Sequence, residues 1–270
     1  MKLLAYEVDK RPFLGVFNEN ETWAYPISAA GMEYRSMKDL IREAGPSEME
    51  MLDYISKKAP GDVNGAAPVE EIRIVSPIPE PDQDIICLGI NYMDHAAESA
   101  RFQKEEFARP EKAIYFSKRV NRTNDPDGII PAHKNLTNQL DYEAELAVII
   151  KKDAKDVKPE EVKDYIFGYT IMNDVSAREV QTEHKQWYFG KSLDGFTPLG
   201  PCIMTVDSTA FPPVKSKRRT PSGFQHRTFY PWNRRSDLRT YKRNDIKGRN
   251  DHRNRNAGRS RHGIRTAEIP

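Results

Sequence analysis

The chain has 270 residues, 38% of them hydrophobic, with 42 Lys and Arg against 40 Asp and Glu. That length allows one large domain or a domain with a smaller companion, and the apolar share is enough for a core but low for a globular enzyme. No apolar run approaches the roughly 18 residues needed to cross a bilayer, and the N-terminus MKLLAYEVDK turns polar too soon for a secretory signal.

Residues 2–27 read as strand, turn, strand: KLLAYEVD, KRP, then FLGVFNENETWAYPI, whose apolar alternation suits a small antiparallel unit. A helix is expected to open at Ser36, and a second around Met49 to Ile55, where apolar residues recur at helical spacing. The segment PGDVNGAAP, Pro60 to Pro68, is rich in turn formers and reads as a linker. It closes a small N-terminal α+β domain, 1–68, ahead of a main domain, 69–213. In that domain IRIVSPIP, DIICLGINY and KAIYFSK read as strands, DHAAESARF as a short helix and LDYEAELAVIIKK as a strong strand. KPEEVKDYIFGYTIMNDVS reads as helix then strand. Strands and short helices without βαβ repetition point to an α+β fold rather than a doubly wound sheet. Cys87 and Cys202 sit in apolar runs and read as buried thiols of a cytoplasmic protein.

Three groups of residues carry chemistry. Glu143 and Glu145 lie two apart in LDYEAELAVII, so on a strand both carboxylates leave the same face. The aliphatic run that follows marks the strand as buried, and paired buried carboxylates need a counter-charge, which a divalent metal supplies. Asp174, after the apolar run YIFGYTIM, offers a third oxygen ligand. All-oxygen ligation suits Mg²⁺, Mn²⁺ or Ca²⁺ rather than zinc. The plainer reading of the pair is a solvated strand edge. His95 and Glu98 form HxxE and share a helix face, so the carboxylate can orient the imidazole as a general base for water. The plainer reading is a surface helix pair. Lys191, after the aromatic run Trp187, Tyr188 and Phe189, is placed to bind a carboxylate or enolate oxygen, or is an ordinary strand-edge lysine.

The strings IICLGINYMDHAAES, LDYEAELAVIIKK, GYTIMNDVSAREVQ and GKSLDGFTPLGP, in this order, closely resemble the fumarylacetoacetate hydrolase family. The resemblance covers roughly Ile72 to Asp207, and the N-terminal segment resembles the small domain that precedes the catalytic domain in bacterial members. It implies a mixed β-sandwich roll, usually a homodimer, with Mg²⁺ or Mn²⁺ on three carboxylates. It places the metal ligands on Glu143, Glu145 and Asp174, the water-activating pair on His95 and Glu98, and the active-site lysine on Lys191. Asn91, Tyr92 and Gln181 fall near the substrate. Acylpyruvase-like members often carry Arg after the glycine of the GxNY motif, where this chain has Ile90, so the motif looks more like the branch that includes diketo-sugar-acid hydrolases.

The balanced overall charge hides a break. Val214 to Pro270 holds 17 Lys and Arg against 4 Asp and Glu, a net of +13, leaving 25 against 36, a net of −11, before it. A basic tail on an acidic domain normally suggests a nucleic-acid arm. Here a shifted reading frame explains it better. Arg249 to Pro270 can be encoded by bases that, read one position later, spell GTIIATGTPAGVGMGFEPPKF, and the family's chains end in a TGTPAGVG motif. The slip is expected between about Ser208 and Lys217. The roll's closing strands would then be missing, together with the family's substrate-contacting threonine; the tail, 214–270, would be poorly ordered, and this chain is expected to fold poorly and have little activity.

The expected function is metal-dependent hydrolysis of a C–C bond in a small 2,4-dioxo acid, of acylpyruvate or diketo-sugar-acid type. The rival readings are oxaloacetate decarboxylation or 2-hydroxymuconate-type isomerisation on the same metal site. From a different class, the rival is nucleic-acid binding through the tail.

Overall fold

The computed structural model describes residues 1–89 and 113–206. The predicted helix DHAAESARF and the basic tail lie outside them.

The first 26 residues form three strands, β1 (Lys2–Val8), β2 (Arg11–Phe17) and β3 (Trp23–Pro26). The turn between β1 and β2 falls on Asp9 and Lys10, one residue earlier than KRP. Both have positive φ, 50° and 65°, as a two-residue hairpin turn matched to strand twist requires. The expected second strand is broken at residues 18–22, where the Asn18 side chain accepts from the backbone N–H groups of Thr22 and Trp23. The two expected helices are Met37–Glu43 and Pro46–Ser56. Ser36 caps the first by accepting from the Asp39 N–H at 3.2 Å. The linker segment contributes a short strand, β4 (Ala67–Pro68), paired with β3.

Strands follow at β5 (Arg73–Val75), β6 (Ile85–Gly89) and β7 (Ile114–Lys118). LDYEAELAVII is not one strand but two, β8 (Leu140–Asp141) and β9 (Ala144–Ile150), separated by Tyr142 and Glu143. KPEEVKDYIFGYTIMN gives a single 3-10 turn, Val162–Tyr165, and β10 (Ile166–Asn173). β11 (Ser176–Ala177), the helices Arg178–Glu183 and Trp187–Lys191, and β12 (Leu199–Thr205) complete the described chain.

One eight-stranded sheet runs β4-β3-β2-β1-β12-β10-β9, with β5 also on β1. Every pairing within it is antiparallel. Strands from both sides of residue 68 therefore share a sheet. β6 pairs with β7 and β8 with β11 in two further ladders. With its short helices this is the expected α+β architecture. The main core packs the two N-terminal helices on the sheet: Leu3, Val16, Met37, Leu40, Leu52 and Ile203 are essentially solvent-free, with Phe167 of β10 beside them. Each such side chain contributes roughly 1.5–3 kcal/mol by leaving water. The edge position of β9 explains why its aliphatic residues are only half-buried, and Val148 exposed, among the described residues. Among the described residues no helix is long and apolar enough to cross a membrane.

Candidate functional site

The register of β9 and β10 builds the centre of the site. Asn173 stands opposite Ala144, and one step further the Asp174 N–H donates to the Glu143 carbonyl at 2.8 Å. Glu143 and Asp174, 31 positions apart, thus leave the chain side by side beyond the ends of the two strands. β8 and β11 add a second coincidence, placing Asp141 opposite Ser176.

Lysines fill the space between them. Lys191, the last residue of the helix Trp187–Lys191, donates to Glu143 Oε2 at 2.7 Å, Asp174 Oδ2 at 2.7 Å and Ser176 Oγ at 3.0 Å, and lies over the Phe116 ring. Lys118, at the end of β7, donates to Asp174 Oδ1 at 2.7 Å, to the Val175 carbonyl at 3.2 Å and, in a very short contact, to the Lys191 carbonyl. On the outer side Arg178 donates to Asp141 Oδ2 through Nε and Nη2, at 2.9 and 2.6 Å, and to Glu143 Oε1 at 2.6 Å. Its Nη1 donates to Gln181 Oε1 at 3.0 Å, one helical turn on. The exposure of these side chains grades outward, from 0% at Lys118 and 3% at Asp174 and Lys191 to 14% at Glu143, 29% at Arg178 and 46% at Asp141.

The electrostatics follow from that packing. Burial alone would raise the Glu143 carboxyl, but Lys191 and Arg178 outweigh it and hold it below the ordinary value. Burial pulls the Lys118 ammonium down, against the opposing pull of Asp174. Burial pushes the Cys87 thiol on β6 up to about 12, with Asp174 and Glu145 adding to it and Lys118 and Lys191 opposing it. Cys87 and Cys202 are both free, as expected, and half-buried.

The helix carrying Lys191 is held close to the helix Arg178–Glu183 by Gly190. A Cβ there would lie 2.7 Å from the Gln181 nitrogen and 2.9 Å from the Ala177 carbonyl oxygen, and both are backbone atoms. Trp187, at the start of the same helix, meets Phe116 edge-on at 5.3 Å.

Of the candidate residues, Glu143, Asp174, Lys191 and Gln181 come together. Three readings need correction. β9 is half-buried rather than buried, so its aliphatic run does not bury the carboxylate pair. Glu143 lies in the break before β9, so strand alternation does not aim its carboxylate; the Lys191 and Arg178 hydrogen bonds do. Lys191 ends a helix rather than edging a strand, and its ammonium is buried. Glu145 stands in β9 opposite Met172. Among the described residues no three His, Cys, Asp or Glu side chains gather closely enough to hold a metal ion. What converges is the pair Glu143 and Asp174, on one cation. By charge and by donor type, carboxylate oxygens only, that pair fits a hard divalent ion. His95, Glu98, Asn91 and Tyr92 lie outside the described residues.

Lys118 and Arg178 were not singled out from the sequence. A lysine at a strand end normally reaches water, and nothing local to YFSK reveals that three acceptors from distant segments surround it.

The sequence matches the family described as fumarylacetoacetate (FAA) hydrolase C-terminal over residues 84–223, just over half of the chain. It is 40% identical over 157 residues to the oxaloacetate tautomerase YisK of Bacillus subtilis, a match covering 57% of this chain and 51% of that protein. The chain thus spans about half the length of that relative. The fold is similar to the fumarylacetoacetate hydrolase from Exiguobacterium antarcticum, with a TM-score of 0.59 and 34% identity over 79% of this chain and 69% of that one. It is also similar to the maleylpyruvate hydrolase from Sphingobium sp. SYK-6, solved with manganese(II) and pyruvate, with a TM-score of 0.54 and 25% identity over 79% of this chain and 70% of that one.

Proposed function

Because this chain belongs to the fumarylacetoacetate hydrolase family, we propose that it is a metal-dependent hydrolase that cleaves the C–C bond between the two carbonyl-bearing halves of a small 2,4-dioxo acid. The observation that carries the reading is the convergence of Glu143 and Asp174 on a single buried cationic point, flanked by Lys118 and Arg178. Such a place is built to hold positive charge against an anionic ligand in a largely dry setting, where each charge acts more strongly than in water.

In this reading Glu143, Glu145 and Asp174 would hold Mg²⁺ or Mn²⁺. A bound divalent ion supplies Lewis-acid stabilisation of negative charge on substrate oxygens. The Lys191 ammonium, released from its carboxylates, pairs with the oxygen on which enolate charge develops. His95, oriented by Glu98, takes a proton from water, which adds to the distal carbonyl. The C–C bond then breaks, its electron pair passing to the 2-oxo half, which is protonated on carbon and leaves as the 2-oxo acid. The other half leaves as a carboxylic acid. Gln181, held by Arg178, and Asn91 and Tyr92 are assigned to substrate contacts.

The 40% identity to an oxaloacetate tautomerase favours one second reading, proton transfer between the enol and keto forms of a 2-oxo acid without bond cleavage. Both chemistries pass through an enolate. The two are separated by supplying Mn²⁺ and following the ultraviolet decay of a 2,4-dioxo acid such as maleylpyruvate and, in parallel, of enol-oxaloacetate. Release of pyruvate, lost in Glu143→Ala, supports hydrolysis. Acceleration of the enol decay alone replaces it with tautomerisation. No turnover of either substrate by folded protein removes both readings. We also propose that the reading frame slips between about Ser208 and Lys217, leaving the tail, 214–270, out of frame; resequencing codons 205–220 decides that.

A further inference from the structure

We propose that Lys118 is a positioning residue of the site: it fixes the Asp174 carboxylate and the backbone of Lys191 in one geometry, so that the second Asp174 oxygen faces the cation position. The inference rests on the metal reading above and deepens it.

Lys118 has three ammonium hydrogens and three acceptors: Asp174 Oδ1, the Val175 carbonyl and the Lys191 carbonyl. With its side chain at 0% exposure and its donors committed, it has no donor left to offer a substrate. Its acceptors come from both segments that build the centre, Asp174–Val175 after β10 and the end of the helix Trp187–Lys191. Asp174 Oδ2 then returns to the Lys191 ammonium at 2.7 Å. Lys118, Asp174 and Lys191 therefore close a ring that ties Lys191 at both its carbonyl and its side chain. Rotation of the Asp174 carboxylate would break a bond at each of its oxygens. A cation held this way acts on the ligands rather than on the substrate, the role outer partners play around metal ligands.

Charge alone and positioning predict opposite signs. Lys118 is a positive charge beside a cation site, so if it contributed only its charge, removing it would tighten metal binding. If it positions Asp174, removing it loosens metal binding in spite of the lost repulsion. The test measures Mn²⁺ affinity of the full chain by electron paramagnetic resonance, with near-ultraviolet circular dichroism reporting the folded fraction. Lys118→Met is expected to weaken Mn²⁺ binding by about 10–100-fold, the range seen when outer partners of metal ligands are removed. Where that variant does not fold, Lys118→Arg decides. It keeps the charge but spreads its donors over a planar fork, and several-fold weaker binding is expected. Unchanged or tighter binding in the folded variant overturns the inference. Asp174→Asn separates the two levels. If it abolishes Mn²⁺ binding while the Lys118 variants bind normally, only the role of Lys118 falls. If the unmodified chain binds no Mn²⁺, the metal reading falls and this inference with it.

Discussion

Leu3 and Val16 on β1 and β2 are as hidden from solvent as Lys118 and Asp174 at the ends of β7 and β10, yet different forces hold the two regions. Around Leu3 the sheet meets two helices, and the cluster they form is built of apolar side chains such as Val16, Leu40, Leu52 and Ile203. Such contacts are non-directional, so the region tolerates exchange of one apolar shape for another of similar volume. Around Asp174 the carboxylate is held by two ammonium groups, through hydrogen bonds that each need a donor and an acceptor in line. Removing one member there leaves its partners charged and dry. The first region gains stability by excluding water. The second spends stability to hold charges in a fixed arrangement, which is the usual physical signature of a site that acts on something.

The sharpest break of this contrast is Lys191→Met. Glu143 and Asp174 would then face each other without their shared ammonium, which is 3% exposed. Loss of one member of a buried charge pair costs about 3–5 kcal/mol, and under the proposed function, loss of a donor to the enolate oxygen should lower turnover about 10²–10³-fold. Urea unfolding and steady-state assay measure both, and added Mn²⁺ should return part of the stability, since an ion bound only by the folded state raises it by mass action. A loss under about 1 kcal/mol would place the lysine outside the stabilising network.

Leu52→Ala is the counterpart in the apolar region. Leu52 is fully buried, and its truncation should cost about 2–5 kcal/mol. Turnover per folded molecule should not change, and Mn²⁺ should add no more stability than it adds to the unmodified chain. Lowered turnover at full folding would mean that the two regions are mechanically coupled.

Alkaline pH probes a second apolar cluster, formed by Leu4, Tyr6, Phe17 and Ala24. Burial pushes the Tyr6 hydroxyl up to about 12 from its ordinary 10.0. The folded state keeps that proton after the unfolded chain has lost it. The stability is therefore complete below pH 10 and is lost as pH rises from there through about 12. Tyrosinate absorbance of the Tyr6→Phe variant, compared with the parent, should lack one late-titrating group, and the variant should lose less stability over that window.

The smallest expected effect is at Ser36. Its oxygen caps the helix Met37–Glu43, and Ser36→Ala should cost about 0.5–2 kcal/mol without touching the charge cluster. Thermal unfolding reads it, and a change in Mn²⁺ affinity would contradict the separation of the two regions.

The sequence showed the apolar region more plainly than the charged one. Periodicity located the second N-terminal helix and the strands of the hairpin, because a helix or strand writes its buried face at short range. The site is written at long range. Glu143, Asp174 and Lys191 were singled out as candidates from their strings, but the reason they meet is the β9–β10 register and the end of a short helix, neither of which is local. Glu143 illustrates this: two residues of break before β9 change which force aims its carboxylate. Lys118 shows the limit, since its acceptors lie 56, 57 and 73 positions away.

Gly190 carries a consequence for how the chain can vary. Because a Cβ at that position would meet backbone rather than a movable side chain, a library that randomises the helix Trp187–Lys191 under selection for activity should recover glycine at 190 irrespective of the polarity of the alternatives. Exposed Tyr188 and Phe189 on the same helix should drift freely. The reach of the Lys191 ammonium is in effect gauged by an absent methyl group, so a residue with no functional group would rank among the least replaceable in the chain.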